Sequence, residues 1–407
     1  MNRGMKVIWT NKYFVGVALT ISLLAFAAWT ALAANPSPSR SRAQAETDFA
    51  KLFAGIPGGD IQPCRAVLDM YPEFNGVAVD PKNNIVLFSD TNLKSLLVYR
   101  RTAGSVDSPE VTPPLAQIMG PATYISFAAG VAIDPVHKEI YAGENDIGDD
   151  VAAFPYGANG DYAARVLATP HEVYGIGVSL KLNQMALAIE HDEELIFFRL
   201  GAHGAEPPLR EIRGDNTGLA DPHGVYWDDT HDEIFVANHG NWARGAWDPD
   251  YQGGGRYQPP SITVFSADDR GNAKPQRTIQ GSKTRMDWPA GVSVDDQRDE
   301  IAVANMASNA ITIYSRTANG NVAPIREIKG PRTGITTPMG VAFDPIHHEL
   351  WVANFGHTGL VFDSDADGDA RPKRIIRNAP KGTAIAGFGN PMAMAYDSKR
   401  DELLVPN

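Results

Sequence analysis

One cysteine, Cys64, is all that this 407-residue chain carries. No internal disulfide can staple it, so its stability has to come from core burial and closure of its own architecture. Basic residues are also scarce: 36 Lys and Arg stand against 48 Asp and Glu, a net charge of −12. Phosphate recognition needs clustered Lys and Arg, so nucleic acid is excluded as a partner and anionic lipid is disfavoured. A sustained helical period is missing after the N-terminal region, which points away from bundles and α/β sheets. No G-x-S-x-G elbow, P-loop or dinucleotide fingerprint stands in a strand-to-helix setting, which removes the commonest hydrolase and nucleotide-binding designs.

The first residues supply an address. Arg3, Lys6 and Lys12 precede an uncharged run over residues 14–34 that ends in Ala31-Leu32-Ala33. A basic start, an apolar centre and small residues at alternate positions are the parts of a secretory signal peptide, read here as residues 1–33. An uncleaved membrane anchor is the alternative, since the run is long enough to span a bilayer. Export to the periplasm or the medium is expected, as a monomer, with a membrane as partner only if the segment is retained. Cleavage would leave 33 basic residues against 48 acidic. Residues 34–47, rich in Pro, Ser and Ala, read as a flexible tether, and residues 48–407 as one folded domain.

That domain is a repeat. The stretch WPAGVSVDDQRDEIAVAN, 288–305, reads as a β-hairpin with an Asp-led turn, and fourteen residues separate its Gly291 from Asn305. The same step joins Gly76 to Asp90, Gly130 to Glu144, Gly224 to Asn238, Gly340 to Asn354 and Ala393 to Asn407. Each unit continues into two further strands, c and d, alternating and bounded by Gly, Pro, Asn and Asp, as β-strands are. In repeats three to six an aromatic, a Pro ten residues on and an Arg two beyond it recur: Phe198, Pro208, Arg210; Phe265, Pro275, Arg277; Tyr314, Pro324, Arg326; Phe362, Pro372, Arg374. Phe53, Pro63 and Arg65 repeat that spacing near the N-terminus. Residues 48–69 are therefore expected to be strands c and d of a seventh blade whose a and b come from the C-terminal repeat. The fold class that follows is all-β, a seven-bladed β-propeller of four-stranded blades, closed by pairing of its two ends.

The pattern P-x-G-V-x-x-D…E-I-x-V-A-N, followed by N-G-N-x-x-P-x-R-x-I from Asn319 to Ile328, resembles NHL-type repeats and the related YVTN/YncE-like β-propellers. The resemblance covers nearly all of the chain after the signal segment. It implies the architecture and leaves activity open, because propellers host enzymes, scaffolds and binding proteins alike. NHL propellers commonly have six blades, and the expected seven departs from that.

Several residues offer chemistry. The first-turn acids Asp80, Asp134, Asp228, Asp295, Asp344 and Asp397 are explained by Asx-turns. The strand-b ends Asp90, Glu144, Glu190, Asn238, Asn305, Asn354 and Asn407 would ring the tunnel mouth on the face of the b–c and d–a loops. Such a ring could hold a hard cation such as calcium, or each residue could cap its own turn. Four histidines, His171, His191, His223 and His239, fall on loops of the same face and could ligate zinc or serve as general base. Trp242, Trp247, Tyr251 and Tyr257, in an insertion over residues 240–260, offer flat surfaces for a ligand. The segment DSDADGD, 363–369, imitates a calcium loop but has Arg374 where an EF-hand needs Glu, and it aligns with ordinary c–d turns.

The leading functional expectation is a recognition module binding a small ligand or protein on the b–c face. A metal-dependent hydrolase or lyase is the rival, resembling propeller lactonases, with calcium or zinc at the tunnel mouth. A structural surface scaffold is the third.

Overall fold

The computed structural model describes residues 69–240, 258–385 and 395–404. Six four-stranded antiparallel sheets follow one another along the chain, each built from consecutive strands. Their inner strands are Phe74–Asp80, Ala128–Asp134, Val173–Ser179, Pro222–Asp228, Pro289–Asp295 and Pro338–Asp344. Strand b pairs with each: Ile85–Asp90, Glu139–Glu144, Gln184–Ile189, Glu233–Asn238, Glu300–Asn305 and Glu349–Asn354. Strand c and a short strand d complete each blade; in blade 5 they are Ala310–Ser315 and Arg326–Ile328. No α-helix occurs among the described residues, and none of their helices is long and apolar enough to cross a membrane.

The molecule is a six-bladed β-propeller, and the expected count of seven is corrected. Inner strands of successive blades pack side by side around the ring, and the sixth packs on the first. At that seam Phe74 N–H donates to the Gly356 carbonyl at 2.8 Å, and Arg101 Nη1 lies 2.7 Å from Glu349 Oε2. Phe74, Phe88 and Tyr99 of blade 1 share a buried cluster with Trp351, Val361 and Ile376 of blade 6. The C-terminal repeat does form its hairpin, Ala395–Asp397 with Glu402–Leu404, but as a separate two-stranded sheet. Phe53 and Arg65, on which the exchange of ends was argued, lie outside the described residues, as do the signal segment and Asn407. Blade 1 already owns four strands, so the terminal hairpin belongs to none of the six described blades.

Two devices join the blades, both following from the repeat. An aliphatic residue at or next to the end of strand d bridges to a glycine in the next blade's c–d loop: Ile118 to Gly160, Leu167 to Gly204, Ile212 to Gly271, Ile279 to Gly320 and Ile328 to Gly368. Side chains flanking that glycine then cap the loop opposite, as Asn319 does for Thr278 N–H and Asn321 for Lys283 N–H. DSDADGD is one of these clasps. Asp367 and Asp369 accept from the Glu327 and Arg332 amides at 3.0 and 2.7 Å, and Asp363 pairs with Lys373. Its carboxylates are consumed by neighbours rather than turned toward one ion.

The second device is electrostatic. Arg277, Arg326 and Arg374, two residues after the strand-d proline, pair with Glu233, Glu300 and Glu349 at the start of strand b. Each also donates to a carbonyl of the next blade: Arg316, Ser364 and Arg101. Burial opposes the charge on Glu233, but the Arg277 hydrogen bond and the Arg277 and Arg316 charges outweigh it and hold the carboxyl below its ordinary value.

Candidate functional site

Four repeat positions meet at the mouth of the central channel on the b–c face. The residue before the inner-strand glycine is Asn75, Ala129, Tyr174, His223, Ala290 or Met339 in blades 1 to 6. All but His223 line a central cavity of about 70 Å³. The residue two places earlier is Glu73, Phe127, Glu172, Asp221, Trp288 or Thr337, and four of these, Glu172, Asp221, Trp288 and Thr337, hold a left-handed backbone. The residue after the strand-b end is Thr91, Asn145, His191, His239, Met306 or Phe355. Blades 5 and 6 thus give the mouth an apolar wall, in which Ala290, Met306, Met339 and Phe355 pack with Ala129 and Tyr174. Blades 3 and 4 give it Glu172, Tyr174, Glu190, His191, Asp221, His223 and His239.

The strand-b ends divide on this point. Asp90 accepts from Glu73 and Asn92 N–H and from the Ser95 hydroxyl, and Glu144 accepts from Ser126 and Phe127 N–H. Asn238, Asn305 and Asn354 each accept from a loop amide (Ala220, Asp287 and Thr336) and donate to a threonine hydroxyl of strand c. Five of the residues singled out for a cation-binding ring thus cap their own blade, the alternative that the sequence also offered. Each of these buried oxygen-bearing side chains already has a hydrogen-bond donor, which is what a buried polar group requires. Glu190 alone leaves the pattern. Its Oε2 accepts from Asn145 of blade 2 at 3.0 Å, and its Oε1 lies 3.9 Å from His223 Nε2.

Around Glu190 the imidazoles gather. His223 and His239 are buried and stacked with ring centroids 3.4 Å apart, and the Tyr174 ring centroid lies 3.9 Å from that of His223. His223 Nδ1 faces the Asp221 carbonyl at 2.9 Å, and against a carbonyl it must be the N–H, which leaves Nε2 as the lone pair. The Asp221 carboxylate spans the pair, with Oδ1 3.7 Å from His223 Nδ1 and Oδ2 3.7 Å from His239 Nδ1. Buried Asp221 Oδ1 and His239 Nε2 have no hydrogen-bond partner among the described residues. His191 sits at the rim, its Nδ1 2.5 Å from Glu172 Oε2 and its Nε2 3.9 Å from Glu190 Oε1.

The environment sets their chemistry. Desolvation, with the charge of His239 added, pushes His223 down to about 4, and desolvation alone takes His239 to about 3. Both rings are neutral at pH 7, weak as proton acceptors but able to donate a lone pair to a ligand or ion. His191 moves the other way, to about 9, chiefly through its hydrogen bond to Glu172, and is a cation at neutral pH. Burial raises Glu190, with His223 opposing and Asp221 adding to the shift.

Of the four histidines singled out in the sequence, three converge. His171 stays half-exposed, tied to Asp149 at 2.7 Å. Trp242, Trp247, Tyr251 and Tyr257 lie outside the described residues; their insertion leaves from Gly240 and returns at Gln258, which pair at 2.6 Å directly after His239. Sequence reasoning missed Asp221, Glu172, Tyr174 and Trp288. Aligning the residues just before each inner-strand glycine would have found them, because acids, Tyr and His appear there in blades 3 and 4 where Ala and Met stand in blades 5 and 6. No family model and no curated protein sequence matches the chain.

Proposed function

We propose that this chain is an exported recognition propeller that takes a small ligand at the channel mouth on its b–c face. One observation carries the reading: departures from the repeat are concentrated in blades 3 and 4 around this mouth, where they leave Asp221 Oδ1 and His239 Nε2 buried without hydrogen-bond partners. Buried polar atoms cost free energy unless something pairs with them. A ligand with a polar head and a flat apolar body fits the two walls. Its head would meet Glu190, Asp221 and His239. Its body would lie on Trp288, 40 % exposed and 5.7 Å from His239, and on Met306. The base of the aromatic insertion beside His239 adds to this surface. Placement outside the cytoplasm is supported by the N-terminal residues, and the resemblance to NHL-type propellers agrees with a six-blade ring.

Screening a small-molecule library by thermal shift and ligand-observed NMR tests the reading. Binders should lose about tenfold in affinity with Trp288→Ala, the value of one aromatic contact. Binding indifferent to both Trp288→Ala and Glu190→Gln would place the recognition surface elsewhere and refute the proposal.

A further inference from the structure

The distances within this mouth point to an ion. An imidazole nitrogen and a carboxylate oxygen that share a proton sit about 2.7–3.2 Å apart. Here Asp221 Oδ2 to His239 Nδ1 is 3.7 Å, and Glu190 Oε1 to His223 Nε2 is 3.9 Å. These gaps are too long for hydrogen bonds, yet the groups are held face to face in buried surroundings. Zinc takes nitrogen and oxygen ligands at about 2.0–2.2 Å, which in a tetrahedron puts neighbouring ligand atoms about 3.3 Å apart. One donor atom each of Asp221, His223 and His239 lies within 4.8 Å of the others, so side-chain movements on the order of 1 Å would bring these groups onto a common centre.

We infer that Asp221, His223 and His239 bind one zinc-class divalent cation, with Glu190 reaching across from blade 3 to complete the set. One donor atom from each of Asp221, His223 and His239 lies within 4.8 Å of the others, and all three residues are buried. The second observation is independent of clustering: Asp221 Oδ1 lacks any hydrogen-bond partner among the described residues, on a side chain more than nine-tenths buried. Orientation supports the set as well. The Asp221 carbonyl holds His223 Nδ1, which fixes the ring with Nε2 toward Glu190, the outer-sphere hydrogen bond that metal-ligating histidines usually make. Two imidazoles with carboxylates favour zinc, cobalt, nickel or copper over calcium, which prefers six to eight oxygens. His191 Nε2, 3.9 Å from Glu190 Oε1, belongs to a second overlapping group with Glu190 and Asp221.

The inference rests on reading the mouth as the binding surface and would make the ion the anchor for the ligand's polar head. Metal alone tests it without any organic ligand. Protein purified without a histidine tag and stripped with chelator is titrated with Zn²⁺ by calorimetry and with Co²⁺ by visible absorption. One equivalent is expected to bind, and cobalt should show the intense d–d bands of a four-coordinate site. His239→Ala and Asp221→Asn should each weaken binding about 100-fold or more, since even outer-sphere changes cost 10–100-fold. Glu190→Gln, the milder change, should weaken it less and alter the cobalt spectrum. Unfolding curves of each apo-protein confirm that a loss is not a folding failure. Absence of stoichiometric uptake, or uptake that His239→Ala and Asp221→Asn leave unchanged, overturns the inference. Metal uptake with no organic binder found would leave the ion standing and refute the recognition reading alone.

Discussion

At the scale of single residues, the repeat can be read as a set of partnerships, most of them satisfied. The strand-d arginine has its strand-b glutamate, and the first-turn aspartate has its amides, as Asp295 does with Gln297 and Arg298 N–H. The Asx reading of those turns was legible because both partners lie within three residues. The arginine's partner was not, because Glu300 precedes Arg326 by 26 residues and only the sheet brings them together. Blade 3 breaks the scheme here too: it starts strand b with Gln184, and Arg210 lies over the Phe197 ring instead. Its buried Glu194 has Arg213 at 3.4 Å, yet desolvation, with Asp192 adding to it, pushes the carboxyl up to about 7 from an ordinary 4.5. A raised carboxyl pKa means that the folded state holds a proton the unfolded chain has lost. Stability should therefore fall as pH rises from about 4.5 to 7, by up to about 3 kcal/mol from this group. Urea unfolding at pH 5 and pH 8 should show that decline in the native protein and a smaller one in Glu194→Gln. An equal decline in both would assign the pH dependence to other groups.

At the scale of elements, the hairpin of strands a and b is the unit the sequence writes most plainly, and in five of the six blades the fourteen-residue step falls within two residues of where it forms. Its glycine has a role that periodicity does not reveal. A Cβ on Gly340 would stand 2.8 Å from the Asn75 carbonyl oxygen and 2.9 Å from Val77 N, both backbone atoms of the neighbouring blade. Gly291 meets Met339 and Val341 in the same way. The residue is small because inner strands converge on the axis, a property of the ring rather than of the hairpin. Gly340→Ala should cost about 1–3 kcal/mol, the usual penalty of overpacking, and lower the urea midpoint without changing the slope. A midpoint equal to that of the native protein would show that the seam yields freely. The strand-b ends teach the complementary lesson. Their common polar character suggested a shared ion, but a loop amide within about 18 residues satisfies each of the five that keep the pattern, and Glu190 gained significance by leaving it.

For the whole molecule, the ring closes between blades 1 and 6, so each blade is continuous in sequence and the terminal hairpin stands outside all six. Removing residues 386–407 should leave a cooperatively folding propeller, with stability changed by less than about 1 kcal/mol and a correspondingly small shift in melting temperature. Loss of cooperative unfolding would show instead that the last repeat supports the ring. The amino-acid sequence alone determined the β-strands, their turns, the repeat length and thereby the propeller architecture, because these depend on alternation and turn chemistry within about forty residues. It also put His171, His191, His223 and His239 on loops beside the inner strands, and the last three are the ones that gather around Glu190. Only the tertiary structure decided how many blades make the circle and which residues meet at its mouth. A repeat states what one unit looks like, whereas the number that closes depends on the angle at which neighbouring sheets pack. Asp221, His223 and His239 become one cluster with Glu190 only when blades 3 and 4 are brought side by side.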